Sequence, residues 1–262
     1  MILNRFKNPY DYLKYFGVTD PKDICLDILS KGCDATVKYR TLTGCEAYIV
    51  GLKDRATIFV SDAVSISRQR FCIGHELGHW MLDRGTPRFS CKAEDIGGHE
   101  IFQKGVEARA NRYAADLLMP EFLFKPAAVD MEMSFNSVRK LAKLFQTSIM
   151  ATAIRLTRFG SFPAIFAWYD AKNGSRISCV RWPEVPSFIW PHEQLHHETY
   201  AMEVLCGKST DSGGPKRIDA SYWFDTRNAY DHDVYEHSIK GYGDLVLSMI
   251  WWKDESMLDE LS

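Results

Sequence analysis

The chain contains 262 residues, of which 46% are hydrophobic and 25% are charged, and its formal net charge is −2. This length is enough to bury a substantial core in one large or two small domains, and the nearly balanced charge gives no overall attraction to nucleic acid or to an anionic membrane. The sequence has no apolar run long enough to span a bilayer and no signal-peptide core at its N-terminus. We therefore expect a soluble, cytoplasmic protein without direct contacts to membrane or nucleic acid.

Short regular elements are predicted before residue 62. Apolar residues at helical spacing predict an amphipathic helix over residues 21–31. Three segments that alternate or are rich in β-branched residues predict a small antiparallel sheet: 36–40, 47–52 and 56–60.

The most informative segment is His75-Glu76-Leu77-Gly78-His79. Residues four apart on a helix project from nearly the same face, so both imidazoles can bind one tetrahedral zinc ion. Glu76 lies beside them and is placed to accept a proton from an attacking water molecule. The alternative is that the two histidines only pack on a buried helix face and form ordinary hydrogen bonds.

The residues around this motif favour a helix. Ser65 or Ser67 could cap it, and residues 70–82 contain no proline. Gly74 and Gly78 each disfavour a helix by about 1 kcal/mol relative to alanine. Their spacing leaves a smooth strip beside the histidines where another backbone could approach.

A catalytic zinc site needs a third protein ligand and an open position. Glu107 is the best candidate, because it lies on the inward face of a predicted helix over residues 104–118. Asn111, one turn later, is placed to hydrogen-bond a ligand histidine, whereas the alternative for Glu107 is a solvated surface charge. His99 and Glu100 are rival ligands in a glycine- and proline-containing loop over residues 84–103, which separates the two helices.

Two segments together resemble the ImmA/IrrE family of zinc-dependent peptidases: Arg68 to Trp80, and Glu107 to Pro120 with its Ala-Asn-Arg-Tyr-Ala-Ala-Asp-Leu-Leu-Met-Pro run. The resemblance covers about residues 20–160 and implies a zincin-like helical peptidase domain. It also implies zinc ligands at His75, His79 and Glu107, with Glu76 as the catalytic base. The substrates implied are helix-turn-helix repressors or antitoxin-like regulators, cut at one site to control a stress response or a mobile element. Many relatives have alanine where this chain has Gly74, a difference that leaves the ligands intact.

Two helices joined near Thr147-Ser148 are predicted over residues 134–158, after a helix that begins at Pro120. Their outline and several basic side chains are compatible with a DNA-binding helix-turn-helix. The second helix, however, has few polar residues that could contact base edges. A helical hairpin that completes the peptidase domain is therefore the preferred interpretation.

The last hundred residues differ in character. Residues 164–169 and 177–182 flank Asn173-Gly174, which predicts a β-hairpin. Six of the seven tryptophans occur here, and core packing is a more common use for them than a ligand surface. The His-rich loop at 191–198 could bind metal by composition, but a solvated loop is the preferred interpretation. Further strands are predicted at 199–206, 218–224 and 245–252.

The sequence therefore predicts an α+β protein with two parts: a metallopeptidase domain at 1–160 and an accessory α+β or mostly β module at 161–262. We expect a zinc-dependent endopeptidase; the alternatives are a non-catalytic regulator in which zinc is a structural clip, and a direct DNA binder. Seven cysteines without Cys-x-x-Cys spacing are expected to be thiols. Cys72 is expected to be a small buried apolar residue, and a redox role for Cys72 or Cys91 has no support in the sequence.

Overall fold

A computed structural model describes residues 7–83, 105–256 and 258. Within these residues, helices and strands follow each other in a mixed order that confirms the predicted α+β class. The helices are α1 (Pro9–Tyr15), α2 (Leu26–Gly32), α3 (Ile66–Leu82), α4 (Val106–Leu118), α5 (Glu121–Ala128), α6 (Phe135–Phe145), α7 (Ile149–Phe159) and α8 (Tyr200–Leu205). None of the helices in this part of the chain is both long and apolar enough to cross a membrane.

The strands in the described part of the chain form two sheets. They are β1 (Ala35–Arg40), β2 (Ala47–Leu52), β3 (Arg55–Ser61), β4 (Ala164–Asp170), β5 (Arg176–Arg181), β6 (Lys216–Asp219), β7 (Asp233–Lys240) and β8 (Leu245–Trp251). The first three strands have the order β1-β3-β2, and the other five have the order β5-β4-β8-β7-β6.

The first sheet is mixed, which corrects the prediction that it is purely antiparallel. β2 and β3 pair antiparallel, but β1 pairs with β3 in parallel, with Ala35 opposite Ala56 and Arg40 opposite Ser61. Residues 41–54, which include β2, provide the long connection that a parallel pair requires. The side chains of Ala35, Ala56 and Ile58 are buried under this sheet.

Contacts divide the chain into two compact units. Unit 1 consists of residues 1–124 and 142–151, and unit 2 consists of residues 125–141 and 152–262. The division runs through α5, α6 and α7, so the helical hairpin predicted at 134–158 is present as two helices that each belong partly to both units. The functional boundary near residue 160 stays a prediction.

The core of unit 1 forms where α3 meets its neighbours. Leu77 and Ile73 of α3 are buried with Leu13 and Leu117 in one apolar cluster. Trp80 Nε1 donates a hydrogen bond of 2.8 Å to the Cys33 carbonyl, which anchors the C-terminal half of α3 to the end of α2. This packing fixes the helix that carries the His75 motif.

The sheet of unit 2 is antiparallel throughout. The predicted hairpin is present as β4 and β5, and the predicted strand at 245–252 is β8. β7 was not predicted, and only the first part of 218–224 is a strand, because residues Ala220–Tyr222 form a 3-10 turn. Most of the tryptophans in this unit pack in the core, as expected: Trp168, Trp223, Trp251 and Trp252 are buried.

The prediction of a strand at 199–206 is wrong, since Tyr200–Leu205 is the helix α8. Thr199 caps this helix by accepting a hydrogen bond from the Met202 amide. The amides of Tyr200 and Ala201 donate to the buried carboxylate of Glu236 on β7. A distant acid therefore stabilises the first turn, a contact that the local sequence does not reveal.

Candidate metal centre

The helix α3 carries the His75 motif on a buried face. Ser65 caps its N-terminus by accepting a hydrogen bond from the Arg68 amide, as the sequence suggested. His75, Glu76 and His79 are each at most 2% exposed. Polar side chains buried to this degree need polar partners, because burial removes their hydrogen bonds to water.

Three side chains converge at one point of unit 1. His75 Nε2 lies 2.9 Å from His79 Nε2, and Glu107 Oε2 lies 3.2 Å and 3.1 Å from these two nitrogens, respectively. Among the residues that the structure describes, this is the one group of three His, Cys, Asp or Glu side chains close enough to share a metal ion. The structure thus brings together the three residues that the sequence proposed as ligands.

Close packing of α3 against α4 brings Glu107 to the histidines. A Cβ atom added at Gly74 would lie 3.2 Å from the Cα of Ala114, and one added at Gly78 would lie 3.0 Å from the Cβ of Tyr113 and 3.2 Å from the Cα of Ala110. The two glycines therefore form the strip of close approach that their spacing predicted. Helices that pack without side chains between them can place residues of both on one small site.

The outer nitrogens of both histidines face oxygen atoms. His75 Nδ1 lies 2.8 Å from Asn111 Oδ1, the contact for which Asn111 was singled out. His79 Nδ1 lies 3.9 Å from Asp83 Oδ2, and Arg109 Nη2 lies 2.5 Å from Asp83 Oδ1. Sequence reasoning missed Asp83 and Arg109, although the spacing of four between His79 and Asp83 was a usable signal.

The donor set fits a zinc ion. Because Asn111 Oδ1 only accepts hydrogen bonds, it holds the proton of His75 on Nδ1 and leaves the Nε2 lone pair directed at Glu107. A tetrahedral zinc ion at about 2.0–2.1 Å keeps its ligand atoms about 3.3 Å apart. The observed separations of 2.9–3.2 Å are close to this value.

The electrostatics of the cluster favour an ionised Glu107. The rings of His75 and His79, each with its Nε2 within hydrogen-bond distance of Glu107 Oε2, hold the pKa of the Glu107 carboxyl far below its ordinary value. Two neutral imidazoles and one carboxylate would leave a divalent ion with one unit of positive charge, which suits a site that stabilises a developing oxyanion.

Glu76 and Cys72 lie on the same helix but outside the ligand cluster. Glu76 is buried beside His75 and does not belong to the three side chains that share the site. Cys72 is buried as expected, and burial raises the pKa of its thiol to about 12, so it is protonated at neutral pH. The rival ligands His99 and Glu100 lie outside the described residues, as do Cys91 and the loop at 84–103.

Two other segments raised in the sequence have ordinary structural contacts. Arg155 of α7 is buried with its guanidinium 4.4 Å from the Phe159 ring, and Arg139 of α6 pairs with Asp211 at 2.7 Å. These two cations are therefore engaged within unit 2. In the His-rich loop, His196 stacks on Tyr222 with ring centroids 4.7 Å apart.

The segment that carries the candidate metal centre is similar to known proteins. Residues 35–157 match the sequence model of the IrrE N-terminal-like domain. Over 114 residues the chain is 30% identical to the radiation response metalloprotease IrrE of Deinococcus radiodurans, and the match covers 42% of this chain. It spans only 33% of the length of that relative.

A solved structure of a Mycobacterium tuberculosis transcriptional regulator has the same overall fold. Its TM-score is 0.58, and the alignment covers 95% of this chain and 76% of that one at 13% identity. The matched segment at 35–157 contains every residue of the metal centre described above. These matches support the assignment of this segment to the ImmA/IrrE family.

Proposed function

We propose that this protein is a zinc-dependent endopeptidase that makes a site-specific cut in a helix-turn-helix repressor or an antitoxin-like regulator. The observation that carries the proposal is the convergence of His75, His79 and Glu107 within hydrogen-bond distance of one another. The match of residues 35–157 to the IrrE N-terminal-like domain, and the similarity to a protein that is called a metalloprotease, support the chemical class.

The three ligand side chains would hold the metal from two helices. His75 and His79 come from α3 and Glu107 from the first turn of α4, so the site depends on the packing of this helix pair. With three protein ligands among the described residues, a tetrahedral ion would keep one position for water or substrate, which is the arrangement of catalytic rather than structural zinc sites. When bound, zinc supplies a Lewis acid that polarises a peptide carbonyl and makes water more acidic.

Glu76 is the residue that would move the proton. Its carboxylate follows His75 directly on α3 and is 1% exposed, so bulk water does not compete for it. We assign it to take a proton from the attacking water and to return that proton to the amine that leaves. His75 and His79 stay neutral in this scheme, with the His75 proton held on Nδ1 by Asn111.

The substrate class rests on the family resemblance. The matched relative is described as acting in the radiation response, and the fold neighbour is described as a transcriptional regulator. Both descriptions are compatible with a peptidase that controls transcription by removing a regulator. A regulator encoded beside this chain is the first substrate to test.

The proposal is tested by separating metal binding from cleavage. The chain is co-expressed with the neighbouring regulator, zinc is measured by elemental analysis, and cleavage is followed by mass spectrometry. We expect Glu76→Gln to retain zinc and to lose cleavage, whereas His79→Ala and Glu107→Ala lose both. Asp116→Asn, an acid on α4 that accepts a hydrogen bond from Tyr10, is the matched control and keeps both.

Two results would contradict the proposal. A Glu76→Gln protein that cleaves as fast as the wild type would remove Glu76 from the mechanism. A wild-type protein that binds zinc tightly but shows no exchangeable water on the ion would indicate a structural clip, the non-catalytic alternative.

A further inference from the structure

The second ring nitrogen of His79 faces an acid that the metal centre itself does not use. His79 Nε2 is directed at His75 and Glu107, while Nδ1 lies 3.9 Å from Asp83 Oδ2. Asp83 follows α3 as its C-terminal capping residue, four positions after His79. Its side chain is only 11% exposed, so this carboxylate is largely withdrawn from water.

Arg109 fixes the orientation of that acid. Its Nη2 lies 2.5 Å from Asp83 Oδ1, which leaves Oδ2 as the oxygen that faces His79. Arg109 is on α4, two positions after Glu107. The pair therefore joins the end of one ligand-bearing helix to the start of the other.

We propose that Asp83, held by Arg109, is a positioning residue that orients His79 for metal binding. The inference rests on the proposed metal centre and extends it to residues outside the ligand set. His75 provides the comparison within the same site, since its outer nitrogen already donates to Asn111 at 2.8 Å. One oxygen would thus support each ligand histidine: Oδ1 of Asn111 on α4 for His75, and Oδ2 of Asp83 at the end of α3 for His79.

The physical reason is the strength of a carboxylate as an acceptor. A ligand histidine that donates its other N–H to a carboxylate keeps one tautomer and one ring orientation, and its metal-binding nitrogen becomes more basic. A direct hydrogen bond requires the two atoms to approach by about 1 Å from their present separation. The charge of Asp83 also favours a cation at the site before that approach occurs.

The experiment measures zinc affinity rather than activity. Metal-free protein is titrated with zinc in competition with a chromophoric chelator. We expect Asp83→Asn and Asp83→Ala to weaken zinc binding about 10- to 100-fold, the range found for such supporting groups. Asp83→Glu should restore much of the loss, and Arg109→Gln should produce a smaller loss in the same direction.

A matched control and a spectroscopic signature separate positioning from simple destabilisation. Arg68→Gln removes an ion pair of the same length with Glu46 at the other end of α3 and should leave zinc affinity unchanged. In the zinc-bound wild type, the His79 Nδ1 proton should be visible by NMR, and it should shift or broaden in Asp83→Asn. Circular dichroism shows whether each variant is folded. If Asp83→Asn and Asp83→Ala both unfold, Arg109→Gln tests the inference, because it leaves Asp83 itself intact.

The outcomes are distinct for the two proposals. If the wild type binds zinc and the Asp83 and Arg109 variants bind it equally well, the positioning role is overturned while the metal centre stands. If the wild type binds no zinc, both are overturned. A loss of affinity in Arg68→Gln as large as that in Asp83→Asn would also overturn the specific role of Asp83.

Discussion

Asn111 Oδ1 lies 2.8 Å from His75 Nδ1, and this hydrogen bond joins α4 to α3 at the candidate metal centre. It determines which nitrogen of His75 carries the proton and therefore which nitrogen is available to a metal. Because Asn111 is one turn after Glu107, the same helix supplies both a ligand and the support of another ligand.

Replacing Asn111 with alanine should weaken the site without removing a ligand. We expect zinc affinity to fall about 10- to 100-fold, because the His75 ring loses its fixed tautomer. Stability of the metal-free protein should fall by about 1–3 kcal/mol, the cost of a buried donor without a partner. Chelator competition and urea unfolding measure the two effects. Asn111→Asp keeps an acceptor at this position and should retain most of the affinity; an equal loss in both variants would contradict this role.

The helix seam is the line along which Gly74 and Gly78 of α3 contact α4. Adding a methyl group there should move Glu107 away from the two histidines. In Gly78→Ala the new Cβ would meet the Cβ of Tyr113 at 3.0 Å and the backbone of Ala110 at 3.2 Å, so α4 must move. Overpacking costs about 1–3 kcal/mol, which matches or exceeds the gain of about 1 kcal/mol from helix propensity. We expect a net loss of stability and a clear loss of zinc affinity.

Gly74→Ala is the matched comparison for the seam. Its new Cβ would meet Ala114 at 3.2 Å, a slightly longer contact than at Gly78. We expect a smaller effect on zinc affinity than for Gly78→Ala. Thermal unfolding and chelator titration of both variants test this order, and the reverse order would show that the seam does not set the position of Glu107.

The buried carboxylate of Glu236 should be essential to the fold of unit 2. It accepts hydrogen bonds from the amides of Tyr200 and Ala201 at 3.1 and 2.6 Å, from Trp223 Nε1 at 3.0 Å and from Ser238 Oγ at 2.7 Å. In Glu236→Gln, one oxygen becomes an NH₂ group that faces donors, so we expect a loss of about 2–4 kcal/mol.

Urea unfolding followed by tryptophan fluorescence measures the loss in Glu236→Gln. Glu198→Gln changes an exposed carboxylate near the start of α8 and should alter the free energy of unfolding by less than about 0.5 kcal/mol. A Glu236→Gln protein as stable as this control would show that the carboxylate does not stabilise the N-terminus of α8.

Acid should destabilise unit 2 through His237. Its Nδ1 accepts the Phe135 amide at 3.0 Å, so Nε2 carries the proton and donates to Asp211 Oδ1 at 3.0 Å. Burial lowers the pKa of His237 below its ordinary value of 6.5. The charge of Arg139 lowers this pKa further, and the opposing effects of Asp211 and Glu132 are smaller than that of burial. Folding thus favours the neutral form of His237. The contribution of this form to the free energy of unfolding is complete above pH 6.5 and decreases as the pH falls below that value.

The slope of stability against pH tests the role of His237. Unfolding free energies are measured between pH 7.5 and 5, where one such group contributes at most about 1.4 kcal/mol per pH unit. We expect His237→Gln to be less stable than the wild type at neutral pH and to have a shallower slope. His197→Gln, which changes an exposed histidine, should keep the wild-type slope; a shallower slope there would refute the assignment to His237.

Local sequence patterns predicted much of unit 1. The helix that carries His75 and His79, its Ser65 cap, and the helix with Glu107 and Asn111 lie where periodicity and capping placed them. These elements depend on interactions between residues three or four positions apart, which a sequence displays directly. The parallel pairing of β1 with β3 was missed, because strand direction depends on the path of the connection and not on the residues of the strand.

The wrong and missing secondary-structure predictions in unit 2 also result from contacts between residues far apart in the sequence. The apolar content of residues 199–206 fits a strand as well as a helix, and the carboxylate of Glu236, far along the chain, stabilises the helix. β7 was missed because its charged and polar residues Glu236, His237 and Ser238 are buried by pairing with one another and with distant groups.

The sequence by itself determined which residues could form a metal centre and on which helices they lie, because ligand spacing on a helix is a local property. Only the tertiary structure decided that Glu107 approaches His75 and His79. It also decided that Asp83 faces the outer nitrogen of His79 and pairs with Arg109. These contacts depend on how closely α3 and α4 pack at Gly74 and Gly78, and that distance is set by the shape of both helix surfaces together.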